Sequence, residues 1–228
     1  LEGWSREDVD AYALESQKRA ANARDNGYFD KSVLPVTDKN GLTILEKDDF
    51  IKPGTTLEGL GNLKASFEVM GGFGFDDVIL KKYNTLEKVN HVHTPGNSSG
   101  IVDGASAVLI GSEKAGKDLG LTPRGRILST AVLANCPIIM LTGPGPAAKK
   151  ALDRAGLKAS DIDLWEINEA FAGQAVACMM ELGISSDIVN VNGGAVGLGH
   201  PLAATGTRLT LTRQPDTITR IYTCRHFH

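Results

Sequence analysis

The chain has 228 residues, of which 42% are hydrophobic and 22% charged, and its formal net charge is −3. These values exclude a disordered or fibrous protein, and a globular chain of this length buries about 70% of its unfolded surface. The balance of 24 basic and 27 acidic residues argues against a dedicated nucleic-acid or membrane-surface binder. No apolar run reaches the roughly 18 residues of a spanning helix, so we expect no membrane span.

Three cysteines, Cys136, Cys178 and Cys224, lie far apart without a CxxC pair. A sparse, odd set is typical of reduced thiols, and we expect a cytoplasmic protein, or an organellar-matrix protein in a eukaryote. The sequence starts at Leu1 with neither an initiator methionine nor the pattern of a signal peptide, so we expect a fragment.

The first predicted element is a helix that starts at Ser5 and ends near Gly27. Ser5 and Asp8 form a capping-box pattern, and small and apolar residues then recur at helical spacing. Glycine is a common residue just beyond the end of a helix.

A hairpin and a loop are predicted to follow. The residues 38–41 read Asp-Lys-Asn-Gly, a turn signal between two short strands at 32–37 and 42–45. The stretch 52–74 is rich in glycine, threonine and lysine with little periodicity, and we predict loop there and over the glycine-rich 71–75.

From about residue 91 the chain changes from small polar residues to an alternation of strands and helices. The predicted elements are a strand at 105–110, a helix at 113–119, a strand at 126–133, a helix at 146–155, a strand at 162–167 and a helix at 170–182. This alternation favours βαβ units and a largely parallel sheet. A linker at 120–125 is the best candidate for a domain boundary.

The sequence Asn-Glu-Ala-Phe-Ala at 168–172 lies where a predicted strand meets a predicted helix. The carboxyl ends of strands are where α/β folds place their sites. Asn168 can hold a water there or donate to a developing oxyanion. The alternative, which position alone favours, is that Asn168 is the N-cap of the helix.

A glycine-rich run at 190–206 surrounds one histidine, His200. Glycines allow the backbone to approach a ligand closely and to adopt positive φ. Pro201 suits the first turn of a helix, which would place His200 at the positive end of a helix dipole and favour a neutral imidazole. Such a histidine can take a proton from a thiol or donate to a thioester oxygen, and the alternative is a turn-rich connector with an incidental histidine.

Three motifs, in this order along the chain, resemble the thiolase family. They are 96–100 with 103–105 (Gly-Asn-Ser-Ser-Gly and Asp-Gly-Ala), 168–171 (Asn-Glu-Ala-Phe), and the glycine run with Gly199-His200-Pro201. The similarity follows the family from Ser5 to Leu211. Thiolases are acyl-CoA:acetyl-CoA C-acyltransferases that cleave or form 3-ketoacyl-CoA, and they stack two similar halves, each with a five-stranded mixed sheet.

The resemblance implies an α/β fold of layered αβαβα type that is incomplete in this chain. Residues 1–90 would be the remainder of the loop domain, 91–120 the last part of the N-terminal half, 121–213 a truncated C-terminal half, and 214–228 an atypical tail. An incomplete sheet exposes its edges, so we expect poor solubility or dependence on partner chains. Full-length thiolases are dimers or tetramers.

The resemblance also implies roles for individual residues. His200 would be the base that activates the nucleophile and would line an oxyanion hole, and Asn168 would position the water that completes this hole. The other implied positions are Ser99 and Pro95 near CoA, and Gly199 and Gly194 as support for the oxyanion loop. Val102 stands where an asparagine is common in the family. We expect no metal, and no cofactor apart from the CoA thioesters that are the substrates.

The family's chemistry is ping-pong: a cysteine takes up the acyl group and a second substrate collects it. That cysteine lies in the family's N-terminal half and no residue here corresponds to it, so we expect this chain to be inactive alone. Cys136 follows a predicted strand and is a weak candidate nucleophile, whereas Cys178 is predicted to lie in the core. Cys224 lacks the glycines that surround the family's acid/base cysteine.

The leading hypothesis is 3-ketoacyl-CoA or acetoacetyl-CoA thiolysis, or its reverse, of the degradative type found in fatty acid β-oxidation. The alternatives are a non-catalytic CoA-binding or assembly module and a hydrolase built on Cys136 and His200. His91 and His93 could place two imidazoles on one strand face as metal ligands, although the favoured interpretation is that both side chains are solvated or packed and bind no metal. The expected partners are acyl-CoA and CoA, with either further copies of the chain or the missing N-terminal half.

Overall fold

The computed structural model describes residues 1–212 and the backbone of 221–224. Within them, the helices are α1 (Arg6–Asp25), α2 (Leu57–Gly61), α3 (Glu68–Met70), α4 (Asp76–Lys82), α5 (Glu113–Asp118), α6 (Pro144–Ala155), α7 (Ala172–Leu182), α8 (Ala195–Leu198) and α9 (Thr205–Leu211). The strands are β1 (Val36–Thr37), β2 (Thr43–Leu45), β3 (Leu164–Ile167) and β4 (Ile221–Cys224). His226, His228 and most of the predicted tail lie outside the described residues.

Helix α1 packs against α2, α7 and α8. The hydroxyl of Ser5 accepts from the amide of Asp8, and the Asp8 carboxylate accepts from the amide of Ser5, which confirms the predicted capping box. Polar Ser16 and Gln17 are buried along with the small residues Ala13 and Ala20. Because buried polar groups need partners, these side chains indicate that α1 hydrogen-bonds to the elements around it.

The predicted hairpin is confirmed, with shorter strands than expected. β1 and β2 pair antiparallel, with Val36 opposite Leu45. The carboxylate of Asp38 accepts from the amides of Asn40 and Leu42, each at 2.8 Å, which closes the turn.

The loop predicted at 52–74 is wrong in part. The hydroxyl of Thr56 caps α2 by accepting from Gly59. Farther on, α3 and α4 are joined through a π-helical turn at Gly71–Phe75 that is kinked at Gly74, whose φ of 97° is not helical. Glycine adopts such a left-handed φ without the strain that a side chain would cause.

The strands predicted at 105–110 and 126–133 are wrong, since neither range forms regular structure. A strand is stabilised by hydrogen bonds to a neighbouring strand, and no strand within 1–212 or 221–224 pairs with them. Leu109 and Leu128, one from each range, are exposed. The helix predicted between these ranges is present as α5, capped by Ser112.

The larger hydrophobic core lies between α6, β3 and α7. Its members are Ala148, Leu152, Ile162, Trp165, Ile167, Cys178, Met179, Leu182 and Val189. β4 pairs parallel with β3, and Trp165 forms a parallel bridge with Val189. The predicted α/β class is confirmed, and the parallel pair that forms joins β3 to β4, a strand in the range predicted as an atypical tail. The starts of α6, β3 and α7 lie two residues from those predicted, and their ends agree with the prediction.

No helix in the described part of the chain combines the length and apolarity needed to cross a membrane.

Candidate active site

Asn168 lies just beyond the carboxyl end of β3 and is buried. The N-cap of α7 is Phe171, three residues later, which is extended and forms an antiparallel bridge with Ser98. The amide of the next residue, Ala172, donates to the carbonyl of Asn97 at 3.0 Å. The N-cap interpretation of Asn168 is therefore wrong. Its side-chain oxygen Oδ1 accepts no hydrogen bond from any described residue.

Residues 97–100 connect the Asn168 segment to the histidine loop. The amide and hydroxyl of Ser99 both donate to the carbonyl of Ala170, at 3.1 and 3.2 Å. On the other side, the amide of His200 donates to the carbonyl of Gly100 at 2.8 Å. The fold thus brings the segments that carry Asn168, Ser99 and His200 into one region, with Pro95 exposed at its edge.

The imidazole of His200 is oriented by Thr205. Its Nδ1 lies 2.6 Å from Thr205 Oγ1, and that hydroxyl donates its own hydrogen to the carbonyl of Pro201 at 3.0 Å. A hydroxyl has a single hydrogen, so a Thr205 that donates to Pro201 accepts from Nδ1–H of the histidine. This arrangement corresponds to the tautomer in which Nδ1 carries the proton and Nε2 carries the lone pair.

The helix predicted to start at Pro201 begins instead at Thr205. The carbonyl of Pro201 accepts from the amides of Ala204 and Thr205, at 2.8 and 2.9 Å, and so forms a turn before α9. His200 is therefore not at a helix N-terminus, and that prediction is wrong. The side chain of Thr205, which this turn brings back to the imidazole, replaces the helix dipole as the orienting group.

The two predicted loop glycines occupy positions where no side chain fits. A Cβ at Gly194 would collide with the carboxylate of Glu169. Gly199 has a φ of 79°, and a Cβ there would lie 2.5 Å from a methyl group of Val102. The residue that departs from the family pattern, Val102, thus packs directly against the histidine loop.

Glu169 was not assigned a role from the sequence, yet it is buried and accepts four hydrogen bonds. Its Oε1 accepts from the hydroxyl of Tyr12 at 3.0 Å and from Nδ2 of Asn190 at 2.9 Å. Its Oε2 accepts from the hydroxyl of Ser16 at 2.7 Å and from the amide of Val196 at 2.9 Å. The Asn-Glu-Ala-Phe motif contains this residue, but its burial is visible only in the folded chain.

Burial changes the pKa values of three side chains around the Asn168 segment: Glu166, Arg208 and Tyr12. Burial raises the pKa of Glu166 to about 8, against the opposing effect of the Arg208 guanidinium, so this carboxyl is protonated at neutral pH. Burial also lowers the pKa of Arg208. Near Glu169, burial and then the carboxylate itself raise the pKa of Tyr12 well above its ordinary value, so its hydroxyl remains a donor.

Cys136 and Cys178, whose side chains the structure describes, lie in surroundings of their own. The thiol of Cys136 is 2.7 Å from Nζ of Lys82, whose charge-assisted hydrogen bond lowers the pKa of Cys136 to about 7. A cysteine–histidine hydrolase needs the two side chains within hydrogen-bonding reach, and Cys136 has Lys82 as its side-chain partner instead. Cys178 is in the core, as predicted, where burial raises its pKa to about 12. Cys224 lies in β4.

The two histidines considered as metal ligands, His91 and His93, each contact a different side chain. His91 Nε2 is 2.9 Å from Oδ2 of Asp76. His93 Nδ1 is 3.3 Å from Oδ1 of Asn97, its ring packs against Phe171, and burial lowers its pKa. Across the described ranges, no group of three or more His, Cys, Asp or Glu is arranged to hold a metal ion.

Two family models match the sequence. "Thiolase, N-terminal domain" matches residues 2–73, and "Thiolase, C-terminal domain" matches residues 121–219. The second match extends past Leu211, where the motif resemblance stops.

Curated relatives and solved structures agree with these matches. The chain is 44% identical to a 3-ketoacyl-CoA thiolase of Aliivibrio fischeri, over 93% of this chain and 51% of the relative. It is 43% identical to a beta-ketoadipyl-CoA thiolase of Pseudomonas putida, over 91% of this chain and 48% of the relative. It is similar to the crystal structure of human mitochondrial 3-ketoacyl-CoA thiolase in complex with CoA, with a TM-score of 0.76, 40% identity, and coverage of 91% of this chain and 47% of that one. The chain spans about half the length of the curated relatives it matches.

Proposed function

Since this chain belongs to the thiolase family, we propose that the whole protein transfers acyl groups between CoA thioesters, cleaving 3-ketoacyl-CoA with CoA or catalysing the reverse condensation. The observation that carries the proposal is the oriented imidazole of His200, next to the segments that bear Asn168 and Ser99. The curated relatives include both 3-ketoacyl-CoA and beta-ketoadipyl-CoA thiolases.

In this mechanism His200 is the general base. The lone pair on Nε2 takes the proton from a thiol, and Thr205 holds the opposite nitrogen so that the ring keeps this orientation. The thiolate then attacks the ketone carbon of the 3-ketoacyl thioester, and the bond between C2 and C3 breaks. The departing acetyl-CoA carbanion takes up the proton that the thiol gave up, and the acyl group remains on the attacking sulfur as a thioester. Removal of the proton by a neutral imidazole is the step that makes a thiol a strong nucleophile at neutral pH.

Asn168 would supply the oxyanion hole through a water molecule. Its buried Oδ1 has no hydrogen-bond donor among the described residues, and a buried acceptor without a donor is costly. A water that donates one hydrogen to Oδ1 has its second hydrogen for the developing oxyanion of the thioester. Fixed donors of this kind stabilise the transition state more than the ground state.

Ser99 and Pro95 would lie along the CoA. Ser99 is half-buried and fixed to Ala170, whereas Pro95 is exposed. This gradient from interior to surface suits a long substrate whose thioester is buried and whose nucleotide is at the surface.

We further propose a degradative, β-oxidation type of reaction in the cytoplasm, carried out by a homo-oligomer and requiring no cofactor beyond CoA thioesters. The relatives named 3-ketoacyl-CoA thiolase support the degradative direction. Exposed large apolar side chains, such as Leu34 and Ile101, support association with further chains.

A second candidate concerns the 228 residues by themselves. Among the described cysteines, Cys136 is bonded to Lys82 and Cys178 is in the core, so neither thiol is presented to His200. This arrangement favours a module that binds CoA without turnover when it is not joined to the remainder of a thiolase.

A chimera tests the proposed activity. Residues 1–212 would replace the matching segment of the Aliivibrio fischeri 3-ketoacyl-CoA thiolase, and thiolysis of acetoacetyl-CoA and of a longer 3-ketoacyl-CoA would be measured. We expect turnover of at least one substrate by the chimera, and none by the 228-residue chain. A folded chimera that binds CoA but turns over neither substrate would contradict the proposal and support the non-catalytic module.

A further inference from the structure

The buried carboxylate of Glu169 links its own segment to two distant parts of the chain. Its partners Tyr12 and Ser16 belong to α1, and Asn190 and Val196 belong to the glycine-rich segment that leads to His200. The sequence separation between Ser16 and Glu169 is 153 residues. This side chain is therefore the point at which α1 is tied to the loop that carries the proposed base.

We propose that Glu169 is a positioning residue, whose carboxyl group accepts hydrogen bonds from α1 and from the 190–196 segment and thereby holds His200 in its productive orientation. The inference rests on the proposed function, because it assumes that His200 acts as the base. Glu169 lies next to Asn168, so the same side chain also fixes the segment that bears the proposed oxyanion residue.

Two of the four donors to this carboxyl group are fixed and cannot reverse their roles. Asn190 cannot turn its oxygen toward Glu169, because its amide is already paired with Ile167: Oδ1 accepts from the amide of Ile167 and Nδ2 donates to its carbonyl, both at 2.8 Å. The backbone amide of Val196 can only donate. One fixed donor therefore faces each carboxylate oxygen, and only a group that accepts at both oxygens satisfies the site.

Glutamine is the informative substitution because it keeps the size and shape of glutamate. In one orientation its NH₂ group faces the amide of Asn190, and in the other it faces the amide of Val196. The hydroxyls of Tyr12 and Ser16 can rotate to accept, but neither fixed amide can. Glu169→Gln therefore leaves a buried donor pointing at a donor in either orientation.

Glu166→Gln is the matched control. Glu166 precedes Glu169 by three residues and is also buried, but its side chain makes no hydrogen bond to the described part of the histidine loop. Its carboxyl is protonated at neutral pH, so glutamine resembles the form already present.

Deuterium exchange on the full 228-residue chain tests the proposal without requiring turnover. In Glu169→Gln, we expect backbone amides of 190–199 to exchange about tenfold faster than in the original chain, with α6 unchanged. The C2 hydrogen of His200, followed across a pH series, should also exchange faster, because the ring loses its fixed surroundings. Glu166→Gln should leave both measurements unchanged.

The proposal is overturned if Glu169→Gln leaves the loop amides and the His200 exchange profile as they were, or if α6 exchanges faster by the same factor. Should Glu169→Gln fail to fold, Tyr12→Phe decides. That variant removes the hydroxyl that donates to Oε1 at 3.0 Å and keeps the hydrogen bond between Ser16 and the Gly194 amide, so loop exchange must rise while α6 stays unchanged. Loss of turnover in the chimera, with this exchange pattern intact, would refute the proposed activity and not the positioning role.

Discussion

His200→Ala in the chimera is expected to lower kcat for thiolysis by about 10²- to 10⁴-fold, the usual contribution of a general base, with little change in KM for CoA. The substitution removes the imidazole of the residue whose backbone amide donates to the carbonyl of Gly100, next to Ser99. CoA contacts made by other residues remain, so binding should persist. The measurement is steady-state thiolysis of the substrate on which the chimera is most active.

Two companion variants make this result specific. Thr205→Val keeps the size of the side chain but removes the oxygen 2.6 Å from Nδ1, so we expect about a tenfold loss in kcat because the imidazole loses this hydrogen bond. His91→Ala removes a histidine whose side-chain partner is Asp76, not Thr205 or the Asn168 segment, and it should leave turnover unchanged. A His200→Ala chimera that keeps most of its turnover would exclude His200 as the base.

Gly193→Ala is expected to lower the free energy of unfolding of the 228-residue chain by about 3 kcal/mol, since it combines left-handed strain with overpacking. Gly193 has a φ of 84°, and an added Cβ would lie 2.7 Å from the backbone nitrogen of Ala20 and 2.8 Å from its Cα. The obstacle is the backbone of α1, which cannot rotate away as a side chain can. Urea unfolding followed by circular dichroism measures the difference.

Gly156→Ala separates the two contributions. Gly156 ends α6 with a φ of 66°, but an added Cβ would meet no atom within 4 Å. It therefore carries the backbone strain alone, at a cost of about 1 kcal/mol. Equal losses in the two variants would show that the glycine loop does not press against α1 in solution.

The sequence correctly predicted the helices and turns that are stabilised by residues close to one another along the chain. The capping box at Ser5 and Asp8 positioned α1, and the turn residues from Asp38 positioned the hairpin. Apolar periodicity was enough for α6, β3 and α7, which enclose a core of their own. The strands predicted at 105–110 and 126–133 failed because strand formation depends on a neighbouring strand, and that information is not local.

In the candidate site, too, the sequence predicts what depends on local motifs but not what depends on distant contacts. The motifs identified Asn168, Ser99 and His200, and the fold brings their segments together. Their orientation depends on contacts between distant residues, such as Glu169 with α1, and on a turn after His200 that resembles the start of a helix in sequence. A charged residue such as Glu169 is also expected at the surface, so its burial can be recognised only when all its donors are located.

The most direct test of the account is the tautomer of His200 in the 228-residue chain. Long-range ¹H–¹⁵N correlation spectra of ¹⁵N-histidine-labelled protein at mildly alkaline pH distinguish protonated from unprotonated ring nitrogens, and a His200→Ala sample identifies the signal. The account predicts a proton on Nδ1 and a lone pair on Nε2, the tautomer in which Nδ1 donates to Thr205 and Thr205 donates to Pro201. A proton on Nε2 would contradict it, because the nitrogen proposed to take up the thiol proton would already carry one.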